Sequence, residues 1–170
     1  MSRLAALALA AAAAAAAPPK LILFIMVDDL GWADVGWHRT DNATENATPS
    51  LDALVKEGVS LNSHYVYRMC TPSRTSALSG RLPVHVNDRL QNPEEPTCGI
   101  PRNMTALGSV MRSGGYSTHV VGKWDVGMAT PDHTPEGRGF DSSLIYYGAW
   151  VGGRGSCGRV CVCVCVCVCG

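Results

Sequence analysis

The sequence has no excess charge of either sign. It carries 14 basic and 14 acidic side chains, for a formal net charge of zero. That excludes the broad basic surface of a nucleic-acid binder and a polybasic membrane patch. A cysteine framework is also missing. Five of the 8 cysteines stand in a closing Val-Cys alternation and Cys157 lies just before it, so only Cys70 and Cys98 fall in the globular part. No disulfide scaffold is indicated. Nor is a membrane span: the apolar stretch near the start is short, and its alanines are weakly hydrophobic. The 46% hydrophobic fraction is inflated by the alanine run and the Val-Cys run. Between Pro18 and Trp150 the composition is that of one globular domain.

Residues 1–17 read as a secretory signal peptide, with an organelle transit peptide or an uncleaved anchor as the alternatives. Arg3 is the positive region, Leu4 to Leu9 begins the apolar core, and the alanines offer small residues for cleavage. Asn42, Asn46 and Asn103 each head a glycosylation triplet, the second followed by Pro49. Together they predict entry into the secretory pathway and residence outside the cell or in a lysosome-like compartment.

Lys20 to Val27 is a continuous apolar run rich in β-branched residues, which predicts a strand buried on both faces. Thr48, Pro49 and Asp52 mark a helix start, and Gly58 its end. Leu51, Leu54 and Val55 form its apolar stripe. Val59 to Tyr67 reads as a further strand. Asn87 to Cys98 is a loop. Met104 to Met111 is a second amphipathic helix closed by Gly114-Gly115, and Tyr116 to Val121 another strand. Helix followed by strand fits right-handed parallel crossover units. Trp32, Trp37 and His38 read as loop packing.

Chemistry gathers first at Cys70. Pro72 suits the first turn of a helix, and Gly80 suits its left-handed cap. Cys70 is therefore placed at a helix N-terminus, where amide donors and the dipole favour an anion. Arg74 adds a planar fork that matches an oxyanion. A short capped helix with a buried cysteine is the plainer reading. Asp28 and Asp29 follow the first strand directly. Adjacent carboxylates repel unless a cation intervenes, and calcium takes such oxygens. Solvated acids at a loop start are the other reading. Lys123 stands at the end of the later strand, either as an anion ligand or as a solvated loop lysine.

The run Cys70-Thr71-Pro72-Ser73-Arg74, continuing through Leu78-Ser79-Gly80-Arg81, resembles the sulfatase signature. So do the strand with Asp28-Asp29, the block Gly122-Lys123-Trp124, and Gly137-Arg138-Gly139-Phe140-Asp141. The similarity is to arylsulfatase B-type enzymes and spans Lys20 to about Trp150. It implies an α/β fold of the alkaline-phosphatase type, a mostly parallel sheet flanked by helices. It further implies that a formylglycine-generating enzyme converts Cys70 to formylglycine, whose hydrate attacks sulfur. Asp28, Asp29 and the modified Cys70 would bind calcium, Arg74 would steady the hydrate and Lys123 would bind sulfate. The implied substrate is a sulfate ester, such as that of a sulfated polysaccharide. The other readings are a phosphate or phosphonate ester hydrolase of the same superfamily, a secreted non-catalytic relative, and a mispredicted gene fragment.

Two features depart from the family pattern. Where the family has histidine after Gly-Lys-Trp, this chain has Asp125. The expectation is an ionised catalytic group that only accepts hydrogen bonds, could take a proton from the hydrate as a base, repels incoming sulfate, lowers sulfate affinity and shifts activity to lower pH. The remaining metal ligands of the family come from later segments. The resemblance thus implies a truncated N-terminal portion of a catalytic domain at residues 18–150, inactive by itself. Residues 151–170 form a separate Gly/Cys/Val tail. A repeated GT dinucleotide read in frame encodes alternating Val and Cys, and this is the expected origin of the run.

Overall fold

A computed structural model describes residues 21–41, 47–147 and 162–169. The signal peptide, Asn42 and Asn46 lie outside the described residues. Four strands form one sheet: β1 (Leu21–Val27), β2 (Ser117–Lys123), β3 (Ser142–Tyr146) and β4 (Val162–Cys169), in the order β1-β4-β2-β3. β2 and β3 pair in parallel, while β4 runs antiparallel to both β1 and β2. Hence β1, β2 and β3 share one direction, and their carboxyl ends lie on one edge. The α/β class and the shared direction of these three strands are as expected, but the sheet is mixed rather than mostly parallel, because β4 inserts antiparallel between β1 and β2. The addition is β4, drawn from the Val-Cys tail, whose period of two and β-branched valines suit a strand. Its Val166 stands level with Phe24 on one side and Val120 on the other.

Among the described residues three α-helices accompany the sheet: α1 (Pro49–Glu57), α2 (Cys70–Ser79) and α3 (Leu107–Ser113). Pro49 opens α1, but Thr48 does not cap it. The Thr48 hydroxyl instead donates to Asp52 and accepts from the Gly36 amide, both at 2.8 Å. Gly58 ends α1 in an extended conformation, so no left-handed cap forms there. Gly80 does take that cap on α2, with φ 67° and its amide on the Ser76 carbonyl. α3 starts three residues later than the Met104 pattern suggests, and Met104 packs at the edge of the core instead.

The core lies on the β2 side. Leu78, Ile100, Ala106, Val120, Trp124, Val126 and Phe140 are buried together. Trp124 meets Phe140 edge to face and donates its indole N–H to the Gly127 and His133 carbonyls. A Cβ on Gly99 would lie 1.7 Å from the Val126 carbonyl oxygen, so only glycine permits the 98–100 loop to cross there.

Three expectations fail, for related reasons. β1 is not buried on both faces, and Leu23 is 52% exposed. Helix α3 packs on β2 and α2 on α3, which leaves β1 without a helix against it among the described residues. Leu51 and Leu54 face outward, because α1 packs on the short turn Gly36–His38 rather than on the sheet. Val59 to Tyr67 forms no strand. It makes no ladder with β1, and Val59 and Tyr65 are 87% and 84% exposed. The segment borders Phe24 and Met26 across a cleft of about 390 Å³.

Candidate active site

The parallel run of β1 and β2 carries Asp28-Asp29 and Lys123 to one edge of the sheet. Ligands of open α/β sheets sit outside such carboxyl ends. Helix α2 points its N-terminus at the same place. Met69 caps it with extended backbone, and Ser73 Oγ lies 2.7 Å from the Tyr67 and Met69 carbonyls. That contact fixes the approach of the chain to Cys70. The resulting cleft, of about 170 Å³, is lined by Asp28, Asp29, Tyr67, Met69, Cys70 and Arg74 among others.

Ligand atoms of Asp28, Asp29 and Cys70 all lie within 4.8 Å of one another. Asp29 holds φ 54°, a left-handed conformation that aspartate tolerates better than most residues. Asp28 is the electrostatic hub. Its Oδ2 accepts from Lys123 Nζ at 2.9 Å, and its Oδ1 from Arg74 Nη2 at 3.3 Å. Burial alone would raise the Asp28 carboxyl, but the Lys123 hydrogen bond and charge, with Arg74, hold it below the usual carboxylate range. Burial would likewise lower Lys123, yet Asp28 and Cys70 carry it above its ordinary value. The Cys70 thiol is pushed up by burial and by Asp28 despite the nearby ammonium, which disfavours the reactive thiolate.

Arg74 is buried between α2 and the end of β2. Its side chain is 1% exposed, with Nη1 on the Lys123 carbonyl at 2.8 Å and Nη2 on Asp28. It ties α2 to the end of β2 and positions Asp28. Asp125 stands two residues past the end of β2. It lies fully buried at φ 54°, and its amide donates to the Tyr147 carbonyl. Thr71 Oγ1 donates to its Oδ2 at 3.1 Å, while Oδ1 has no partner. Burial pushes this carboxyl up, against the pull of Lys123, Thr71 and Arg74. The group sits beneath the site rather than in solvent.

Thr71 was not singled out in the sequence, and only its place inside the Cys70 motif could have marked it. Cys98, the other globular cysteine, lies apart. Burial pushes its thiol up to about 12, which makes it an inert core group. Trp32 stacks on His38 with centroids 3.4 Å apart, confirming loop packing. Asn103 is exposed in a turn, as a glycosylated asparagine must be.

A family profile for Sulfatase matches residues 20–153. The chain belongs to the sulfatase family. Among curated sulfatases, Arylsulfatase J of Mus musculus is 39% identical over 133 residues, covering 77% of this chain and 21% of that protein. N-acetylgalactosamine-6-sulfatase of Sus scrofa is 35% identical over 132 residues, covering 72% and 24% respectively. The crystal structure of Ps i-CgsB superposes with a TM-score of 0.63 at 33% identity, over 71% of this chain and 26% of that one. The structure of Ps i-CgsB in complex with k-i-k-neocarrahexaose gives the same TM-score at 32% identity. This sulfatase chain thus spans about a quarter or less of the curated relatives it matches.

Proposed function

We propose that this chain carries the nucleophile, anion-binding and part of the metal-binding residues of a sulfuric ester hydrolase. The observation that carries the reading is the convergence of Asp28, Asp29, Cys70 and Lys123 in one cleft, at the carboxyl ends of β1 and β2. The half-buried Cys70 thiol, its acidity reduced by burial, is a weak nucleophile as it stands, which supports conversion of Cys70 to formylglycine by a formylglycine-generating enzyme. One hydroxyl of the aldehyde hydrate then attacks the sulfur of the ester. The bond from sulfur to the alcohol oxygen breaks and the proton of the attacking hydroxyl passes to the departing alcohol, leaving a covalent sulfo-enzyme. Loss of the proton from the second hydroxyl re-forms the aldehyde and expels sulfate. Lys123 neutralises the anion's charge, while Arg74 holds Asp28 and the β2 end in register.

The donor set suits a hard divalent cation in kind, with two carboxylates and one further ligand atom mutually within 4.8 Å. A thiol is a poor calcium ligand, whereas the oxygens of a formylglycine hydrate are good ones. Calcium bound there would polarise sulfate oxygens and lower the pKa of the hydrate. Calcium takes 6–8 oxygens, so these residues provide only part of a shell. Turnover is therefore not expected from residues 1–170 alone. The substrate class proposed is a sulfated glycan, in keeping with the names of the relatives, and the setting is the secretory pathway. Among the described residues no helix is long and apolar enough to cross a membrane.

The test is mass spectrometry of the tryptic peptide from Met69 to Arg74, after co-expression with a formylglycine-generating enzyme. The expected peptide has lost sulfur and gained a reactive carbonyl. A free thiol throughout, where a control sulfatase is converted, overturns the reading.

A further inference from the structure

Lys123 has two carboxylates within reach. Its Nζ lies 2.9 Å from Asp28 Oδ2 and 4.0 Å from Asp125 Oδ2. Asp28 is already saturated with cations, because Arg74 takes its other oxygen. Asp125 is the opposite case: fully buried, one oxygen on Thr71 and the other without a partner. A divalent cation placed on Asp28 would meet an ammonium that is only 4% exposed, where solvent screens little. One of the two resident cations has to yield. Arg74 is fixed by its second bond to the Lys123 carbonyl and by a rigid planar fork. Lys123 has a flexible four-carbon stem and a point charge, and it can swing without leaving the strand end.

We propose that Lys123 is a two-position ammonium, paired with Asp28 in the metal-free site and transferred to Asp125 when Asp28 takes a divalent cation. The inference rests on the reading of Asp28 and Asp29 as metal ligands. Asp125 is then a positioning residue: it gives Lys123 a second berth and so lowers the cost of loading the metal. A histidine at this place offers no such carboxylate.

The experiment is calcium binding followed by isothermal calorimetry in a fusion where residues 20–153 replace the matching portion of Arylsulfatase J, so that the later segments are present, made with a formylglycine-generating enzyme and compared as wild type, Lys123→Met, Asp125→Asn and the double variant. Removing Lys123 should tighten calcium binding and removing Asp125 should weaken it, each by about tenfold, within the usual range for coupled sites. In the Lys123→Met background, Asp125→Asn should have little further effect. An equal weakening in both backgrounds would reduce Asp125 to a distant charge and overturn the transfer. A second readout needs no variant: with ¹³C-labelled aspartate carboxyls, calcium should move the Asp125 resonance together with those of Asp28 and Asp29. Movement of the latter pair alone also overturns it. Calcium binding that is absent, or indifferent to Asp28→Asn, would instead overturn the metal reading on which the inference stands.

Discussion

At the scale of single residues, two aspartates of one site carry opposite pH signatures. Asp28 is held below its ordinary range by Lys123 and Arg74 against the opposing effect of burial, so its contribution is present above that range and lost on acidification. Asp125 is raised by burial, so the folded state favours its protonated form. That preference costs nothing below the ordinary carboxylate range, and stability is lost as pH rises through the raised value. Replacing Asp125 by Asn removes the buried charge and keeps an acceptor for Thr71. Asp125→Asn should therefore stabilise the chain at neutral pH by about 1–3 kcal/mol, the scale of an unsatisfied buried group. Chemical denaturation across pH checks this: the gain should shrink towards zero as pH falls below the ordinary carboxylate range. The residue types were legible in the sequence, but this contrast was not. It depends on which aspartate the fold buries, and both follow a strand.

At the scale of elements, the segments that read most clearly carry their own stop signals. β1, α2 with its Gly80 cap, and β2 stand where the apolar runs and turn residues put them. The Val59–Tyr67 segment has strand-forming residues but no neighbour to pair with, and strand propensity without a partner decides nothing. The outward stripe of α1 shows the same limit. Glycines test how firmly each element is held. Gly80 has φ 67° and open space around an added Cβ, so Gly80→Ala should cost about 1 kcal/mol, for backbone strain alone. Gly99 also has positive φ, but an added Cβ there would overlap the Val126 carbonyl. Gly99→Ala should displace the turn that carries Lys123 and Asp125 and cost several times as much. Urea denaturation of the two variants gives the comparison directly, and equal losses would contradict the packing described.

At the scale of the molecule, the sheet edge was legible because Asp28-Asp29 and Lys123 each end a strand, whereas Cys70 reaches the cleft through the N-terminus of α2 and not through the strand expected before it. The place of β4 was not legible, since alternation predicts a strand without saying where it pairs. The central claim is that the residues gathered at this edge belong to a sulfate ester hydrolase. The direct measurement is a chimera in which residues 20–153 replace the matching portion of Arylsulfatase J, made with a formylglycine-generating enzyme and assayed on aryl sulfate and aryl phosphate. The account predicts sulfate release that is abolished by Cys70→Ala and by Asp28→Asn, and little phosphate release. A folded chimera with converted Cys70 that releases no sulfate, or that prefers the phosphate ester, would contradict it.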